Sequence, residues 1–308
     1  MIEINLAIDE EGMAVPFSGV ENVESYFSDL TMLLKKAKQD KCRLWIKSTA
    51  LYGINLINND TIDKQSAAIT DQIMFTDLIF DINNHVLEKD TKRLLLKQIE
   101  QCKEIDCEVD NPAPTTADQV RVWKDNGQAA ACIVLRSGKT RTPPAIYDEK
   151  SLLEFYREVP AMVNCTETEY IAHAAISFPR LHFKKGIDTE FRRFQEPYPS
   201  IRNKMSQALT VLNDQLEDIR GACGQEWAKI ARMLTIKIGF ETSPESPNTH
   251  GNRVAMRERH AEFSGHDVCC DWHVKFQPTT DRMHFHFGKP EIANGRILIC
   301  HFVDHFTT

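Results

Sequence analysis

The sequence predicts an α+β protein with a mixed N-terminal α/β region, a helical middle and a small antiparallel C-terminal sheet. Short apolar segments alternate with helix-like segments in the first half of the chain, and a long stretch of helical periodicity follows. Period-two alternation then marks residues 271–287. With 308 residues, of which 42% are hydrophobic and 26% are charged, the chain has the size and composition of a globular protein of two domains.

In the N-terminal region the apolar pattern predicts strands and helices in turn. Strands are expected over residues 2–8, 42–46 and 129–135, and helices over residues 23–38, 91–105 and 149–159. Two prolines in residues 110–116 indicate a linker or surface loop. We therefore expect residues 1–160 to form an α/β domain with a sensor or partner-binding role.

Residues 161–242 are predicted to form a helical segment. From Pro199 to Gly221 apolar residues recur every three or four positions, which predicts one long helix. A second helix is expected from Gln225, with an extended stretch at residues 236–240. Residues 243–252 contain two prolines, a glycine and no apolar residue, so they are predicted to be a loop.

Residues 250–308 are predicted to form the antiparallel sheet and to act as the effector. Residues 271–276 and 282–287 alternate apolar and polar side chains, and a short connection between them favours a hairpin. One face of that hairpin would carry His273, Lys275, Arg282, His284 and His286. The nearly continuous apolar run at residues 296–303 predicts a central strand that is buried on both sides.

This predicted face has the residue types that cleave RNA. Eight of the 11 histidines lie in residues 250–308, and histidine exchanges a proton near neutral pH. One imidazole would take the proton of a ribose 2′-hydroxyl and a second would protonate the leaving oxygen. Lys275 or Arg282 would stabilise the charge on the phosphorus oxygens. Because the 2′-hydroxyl is the nucleophile, the substrate would be RNA, and no cofactor is expected. The predicted catalytic residues are therefore His273, Lys275, Arg282, His284 and His286.

Two other interpretations of this region remain open. The polar residues would alternate in the same way if they formed the solvated side of a sheet. Alternatively, His284, His286 and His301, with Asp304 and His305 nearby, would supply nitrogen and oxygen ligands to zinc or manganese in a metal-dependent nuclease.

A basic stretch precedes the predicted hairpin. Arg253, Arg257, Arg259 and His260 are predicted to bind nucleic acid, since arginine contacts phosphates. The spacing from Arg253 to His260 fits a pattern of some helical ribonucleases, in which six residues separate an arginine from a histidine. The other interpretation is a solvated helix face with Arg–Glu pairs.

Charge and cysteine content set the expected class and compartment. The net charge is −7, and residues 250–308 contain seven basic and seven acidic residues, so the excess of acid lies in residues 1–249. A generally basic nucleic-acid coat protein is thereby excluded. Nine cysteines without a CxxC pair predict reduced thiols. Without a signal-peptide pattern or an apolar run long enough to span a bilayer, we expect a cytoplasmic bacterial protein that does not act on membranes.

The terminal stretch DRMHFHFGKPEIANGRILICHFVDHFTT resembles the last hairpin of the RelE-like toxin ribonucleases. Arg282 matches the arginine that opens the strand, and residues 297–303 match the apolar strand. Asp304 and His305 stand where that family has a basic pair, so the resemblance does not extend to the residues that imply ribosome binding. The same stretch resembles the C-termini of uncharacterised bacterial anti-phage defence proteins, which implies that the acidic residues 1–240 sense a trigger, bind a partner or restrain the effector.

The leading hypothesis is a bacterial defence or toxin-type effector that binds and cleaves RNA without a metal through the His/Lys/Arg face. One alternative is a non-catalytic subunit of an anti-phage defence complex that binds nucleic acid or a protein partner. The other alternative is the metal-dependent nuclease.

Overall fold

The computed structural model describes residues 2–8, 29, 32–45, 116–133 and 145–307. The chain divides into two compact units, residues 2–163 and residues 164–308. A parallel N-terminal sheet, a helical middle and a mainly antiparallel C-terminal sheet confirm the predicted α+β class. The predicted helix at 91–105 and most of the predicted loop at 110–116 lie outside the described residues.

The unit of residues 2–163 contains a four-stranded parallel sheet in the order β2-β1-β3-β4. The strands are β1 (Ile4–Ile8), β2 (Arg43–Trp45), β3 (Ala129–Ile133) and β4 (Ala145–Ile146). Every residue of β1 and β3 is buried, as expected for parallel strands that are covered on both faces.

Helices pack against this sheet through their apolar sides. They are α1 (residues 32–39), α2 (Thr116–Asp125) and α3 (Glu149–Met162). Val120 and Trp123 of α2 lie in one buried cluster with Ala7 of β1 and Ala130 of β3. Asp148 caps α3 by accepting a hydrogen bond from the Ser151 amide, and the Ser151 hydroxyl accepts one from the Asp148 amide in return.

The unit of residues 164–308 contains a five-stranded sheet in the order β5-β11-β10-β9-β6. The strands are β5 (Leu181–Phe183), β6 (Thr242–Pro244), β9 (Trp272–Lys275), β10 (Arg282–His286) and β11 (Ile297–Val303). All seven residues of β11 are buried between β5 and β10, which confirms the predicted central strand. Its pairing with β10 shifts between His284 and Phe285, where Cys300 is the extra residue of a β-bulge.

A separate hairpin, β7 (His260–Phe263) and β8 (His266–Cys269), packs beside this sheet. Its two turn residues, Ser264 and Gly265, both have positive φ angles, of 51° and 84°. A two-residue turn of this kind matches the twist of the flanking strands. Phe263 of the hairpin lies in one apolar cluster with Leu298 of β11.

The helices of this unit include the long helix that the sequence predicts. They are α4 (Glu167–Ser177), α5 (Tyr198–Cys223), α6 (Trp227–Ile238), α7 (Pro247–Gly251) and α8 (Arg253–Glu258). The helix α5 confirms the prediction for residues 199–221 and buries Ile201, Leu209 and Leu212 along one side. Among the described helices, none is both long enough and apolar enough to cross a membrane.

Two predictions of extended or irregular structure are wrong. Residues 236–238 continue α6, which ends where Gly239 adopts a φ of 79°. Residues 243–252 are not a loop, because they contain the end of β6 and the whole of α7. The Ser246 side chain caps α7, and Pro247 occupies the first turn, where a missing N–H costs no hydrogen bond.

The expectation that the cysteines are reduced is wrong for Cys270 and Cys300. These two form a disulfide, with their Cα atoms 6.4 Å apart. They are 30 residues apart in the sequence, so no local spacing indicates the pair. The packing of the hairpin and β11 brings them together in the apolar cluster that contains Phe263 and Leu298.

Candidate functional site: a buried histidine row

Strand pairing places three histidines side by side on one face of the C-terminal sheet. His284 of β10 pairs with His273 of β9 on one side and with His301 of β11 on the other. We call these three residues the histidine row. Arg282 pairs with Lys275 in the same ladder, so the residues of the predicted face do lie on one side of the sheet.

The histidine row lies in the protein interior, and it is not the solvated side of a sheet. His284 has no solvent exposure, and His273 and Arg282 are 3% and 8% exposed. Burial of a polar group costs free energy unless the group has a hydrogen-bond or ion-pair partner. The groups that lie next to the row therefore determine its chemistry. They come from three segments that are distant in the sequence: Glu245, Arg259 and Phe306.

Glu245 and Arg259 form a buried ion pair beside His273. Arg259 Nε lies 2.7 Å from Glu245 Oε1, and His273 Nδ1 lies 3.3 Å from the same oxygen. Neither contact has the angle of a good hydrogen bond, so the attraction between Arg259 and Glu245 is mainly between their charges. Burial alone would raise the pKa of Glu245, but His273 and Arg259 outweigh it and hold that pKa well below its usual value. The carboxylate is therefore ionised at neutral pH.

The hydrogen bond of His284 fixes its tautomer. Its Nδ1 lies 3.2 Å from the Cys270 carbonyl oxygen, which can only accept, so Nδ1 carries the proton. Burial, and next the neighbouring His273, lower the pKa of His284 well below its usual value, which leaves Nε2 with a free lone pair. Neither this Nε2 nor the Nε2 of His273 has a hydrogen-bond partner among the described residues. The two imidazole rings lie 5.2 Å apart between their centroids.

His301, by contrast, has partners at both ring nitrogens. Its Nε2 donates to the His260 carbonyl oxygen at 3.0 Å, and its Nδ1 accepts from Lys184 Nζ at 3.0 Å. Lys184 also pairs with Glu190 at 2.6 Å, and Glu190 accepts a hydrogen bond from the Phe302 amide at 3.0 Å. His301 is thus held in place by this network, and its nitrogens are not available for proton transfer.

Phe306 covers the row from the side of the solvent. Its half-buried ring lies 4.8 Å from the His284 ring and 5.3 Å from the His301 ring, between centroids. The Arg259 guanidinium lies 5.4 Å from the same ring. This aromatic ring is therefore part of the reason why His284 has no solvent exposure.

The other predicted catalytic residues lie next to the row but are engaged elsewhere. Lys275 forms an ion pair with Glu241, and Arg282 is buried with no partner for its Nε among the described residues. His286 accepts a hydrogen bond from the Gly288 amide at 3.0 Å. Of the five predicted residues, His273 and His284 are the two whose free nitrogens converge.

The predicted nucleic-acid-binding residues do not form one surface. Arg253 and Arg257 are exposed on α8, and His260 is exposed and lies 2.6 Å from Asp267. Arg259 is fully buried and donates to the Ala255 carbonyl oxygen at 2.6 Å. In this arrangement Arg259 belongs to the buried site and is not on an outer surface.

Three groups at this site have the types and positions of metal ligands. Glu245, His273 and His284 each offer one ligand atom, and these atoms lie within 4.8 Å of one another. This set differs from the one that the sequence suggests. His301 and His286 are engaged by Lys184 and Gly288, so only His284 is common to both sets.

Sequence reasoning missed Glu245, Lys184 and Glu190. Glu245 lies between two prolines in a segment that the sequence predicts to be a loop, and Lys184 and Glu190 precede the strands β9, β10 and β11 by about 80–110 residues. No periodicity connects these residues to β9, β10 or β11, because the contacts are non-local. The available signal is chemical: histidines predicted to share one sheet face need nearby carboxylates if that face is buried.

Comparison with protein-family models, with curated protein sequences and with solved structures gives no match to this chain.

Proposed function

We propose that the unit of residues 164–308 cleaves RNA by acid–base chemistry at His273 and His284, without a metal ion. One observation carries this proposal: two neighbouring imidazoles each have an unpartnered Nε2 and lie beside the Glu245–Arg259 ion pair. Two imidazoles can act as the general base and the general acid of a metal-free phosphodiester cleavage, and a guanidinium can stabilise the charge that develops.

The contacts suggest a role for each group. His273 would accept the proton of the 2′-hydroxyl, because the carboxylate of Glu245 at 3.3 Å stabilises the imidazolium that forms. The 2′-oxygen would bond to phosphorus, the bond from phosphorus to the 5′-oxygen would break, and a protonated His284 would give its proton to that oxygen. Arg259, and Arg282 beside it on the face, would stabilise the negative charge of the transition state.

The covered site explains how such chemistry would be held back. While Phe306 lies on His284, burial keeps that imidazole neutral, so it cannot donate a proton at neutral pH. Exposure of the row would remove part of this effect, because the lowered pKa comes mainly from burial. The defence or toxin role would then depend on an event that uncovers the site.

The test is cleavage of a single-stranded RNA by the full chain in the presence of EDTA, with the DNA of the same sequence as a control. The protein is assayed as wild type and as Phe306→Ala, in which the row is uncovered. In the active form, His273→Asn and His284→Asn should each lower the rate by about 10²–10⁴-fold. The matched control His266→Asn, an exposed histidine at the tip of the hairpin, should leave the rate unchanged.

The proposal fails if neither form cleaves RNA, or if the His273 and His284 variants cleave as fast as the control. The first outcome would favour the non-catalytic alternative, a subunit that binds nucleic acid or a protein partner in a defence complex.

A metal-dependent nuclease is the second candidate, and the convergence of Glu245, His273 and His284 favours it. Against it, Arg259 already provides a positive charge at 2.7 Å from Glu245 Oε1, where it would repel a cation. Loss of cleavage in EDTA and its return with Zn²⁺ or Mn²⁺ would select this candidate over the metal-free one.

A further inference from the structure

Phe306 lies against charged and aromatic side chains. We call the three of them, His284, His301 and Arg259, the seat of Phe306. Its ring contacts the His284 and His301 rings at 4.8 Å and 5.3 Å, and the Arg259 guanidinium at 5.4 Å. Two imidazoles and a guanidinium are therefore among the neighbours of this ring, which is tilted by 49° to the His284 ring and by 81° to the His301 ring. Imidazole and guanidinium planes are the groups on which proteins stack unpaired nucleobases.

The segment that holds Phe306 is attached by exposed polar contacts of Asp304 and Thr307 and by one hydrogen bond from the buried Arg259. The Thr307 amide and hydroxyl donate to the Glu258 carboxylate at 2.7 Å and 2.9 Å, and the Thr307 carbonyl oxygen accepts from Arg259 at 3.0 Å. Asp304 accepts from the Gln195 side chain at 3.0 Å. Water can replace the exposed contacts at small cost, and Arg259 would keep its hydrogen bond to the Ala255 carbonyl oxygen, so displacement of residues 304–307 would leave the sheet intact.

We infer that the seat of Phe306 is a nucleobase-binding subsite, which the chain's own phenyl ring occupies until residues 304–307 are displaced. This inference rests on the proposed function, because the base that enters would belong to the nucleotide next to the cleaved bond. A six-membered pyrimidine ring has the size of the phenyl ring that it replaces. A base stacked on His284 would bring its own 3′-phosphate towards His273 and His284, where the free Nε2 atoms lie.

In this geometry the position of Phe306 controls both the access of a base to the subsite and the exposure of His284. The ring that fills the subsite also buries His284, so substrate binding and exposure of the catalytic imidazole require the same movement. RNA would then compete with Phe306 for one position.

The test measures binding without turnover. Uridine 3′-monophosphate has no diester to cleave, and ribose 5-phosphate serves as the probe without a base. Each is titrated into the full chain by isothermal titration calorimetry. Phe306→Ala should bind uridine 3′-monophosphate at least about tenfold more tightly than wild type, since one stacked base contributes roughly this factor or more. Ribose 5-phosphate should show no such gain.

Two further variants protect the test against a folding defect. Glu258→Gln weakens the anchor of Thr307 but leaves the seat and Phe306 intact, so it should gain affinity in the same direction by a smaller factor. Phe287→Ala removes a half-buried ring that stacks on Trp227 rather than on the row, and it should bind as wild type does.

Several outcomes would overturn the inference. They are equal affinity of wild type and Phe306→Ala for uridine 3′-monophosphate, an equal gain for ribose 5-phosphate, or no gain in Glu258→Gln. Failure of the proposed function looks different: Phe306→Ala would bind the nucleotide yet cleave no RNA. If the protein cleaves RNA but Phe306→Ala shows no gain in nucleotide binding, the inferred subsite is refuted and the proposed function is not.

Discussion

Replacement of Glu190 by glutamine removes one negative charge from the network beside the histidine row. Burial alone would raise the pKa of Glu190, but the neighbouring His301, the ion pair with Lys184 and the hydrogen bond from the Phe302 amide outweigh it and lower the pKa from 4.5 to about 2. Glutamine keeps the size of the side chain and an oxygen for the Phe302 amide. It leaves Lys184, whose Nζ lies 2.6 Å from the carboxylate, without a counter-charge.

The pKa difference gives the size of the expected effect. A fall from 4.5 to about 2 at about 1.36 kcal/mol for each pH unit corresponds to about 3 kcal/mol of stabilisation. Breaking a buried ion pair typically costs a similar amount, about 3–5 kcal/mol. Because the native pKa lies below the unfolded one, the stabilisation is complete above pH 4.5 and is lost as the pH falls towards 2. At pH 3.5 about 1.4 kcal/mol of it should be gone.

Urea unfolding of the full chain at pH 7 and pH 3.5, followed by tryptophan fluorescence, measures this difference. Glu190→Gln should lower the free energy of unfolding by about 3 kcal/mol at pH 7 and by about half as much at pH 3.5. The control Glu217→Gln breaks an ion pair with Arg180 whose side chains are 71% and 55% exposed, and it should cost less than about 1 kcal/mol. A Glu190→Gln effect no larger than the control, or one that stays constant with pH, would refute the reasoning.

Three further predictions concern stability. Replacing both Cys270 and Cys300 by serine opens a loop of 30 residues and should lower the free energy of unfolding by about 3–4 kcal/mol, measured as a lower melting temperature than that of the oxidised wild type. Gly288→Ala should cost about 1–3 kcal/mol or more in the same measurement, because φ is 101° and the new Cβ would overlap the Gly295 carbonyl oxygen. Asp148→Ala removes the cap of α3 and should cost about 1 kcal/mol in urea unfolding.

Local patterns in the sequence were enough to predict the strands that carry the site. The alternation of residues 271–276 and 282–287 correctly indicates β9 and β10, and the register follows once they pair. A side-chain period of two decides which residues share a face, so His273 and His284 could be grouped without a structure.

Burial and partners could not be predicted in the same way, because they depend on distant segments. The ion pair of Glu245 and Arg259 lies beside His273 through packing, and Phe306 lies over His284 after the chain has passed through β11. The start of α7 was missed for a different reason. Pro247 and Gly251 were interpreted as loop residues, although a serine followed by proline also begins a helix.

The β-bulge at Cys300 changes the phase of β11. Ile299 and His301 are two residues apart, and in a regular strand they would point to the same side. Here Ile299 pairs with Phe285 and His301 pairs with His284, which lie on opposite sides of β10. The extra residue thus lets one apolar strand contribute isoleucine to one layer and histidine to the other. Deletion of Cys300 would make Ile299 and His301 neighbours in a regular strand, where side chains alternate, so both would keep their layers and the loss would be that of the disulfide partner of Cys270.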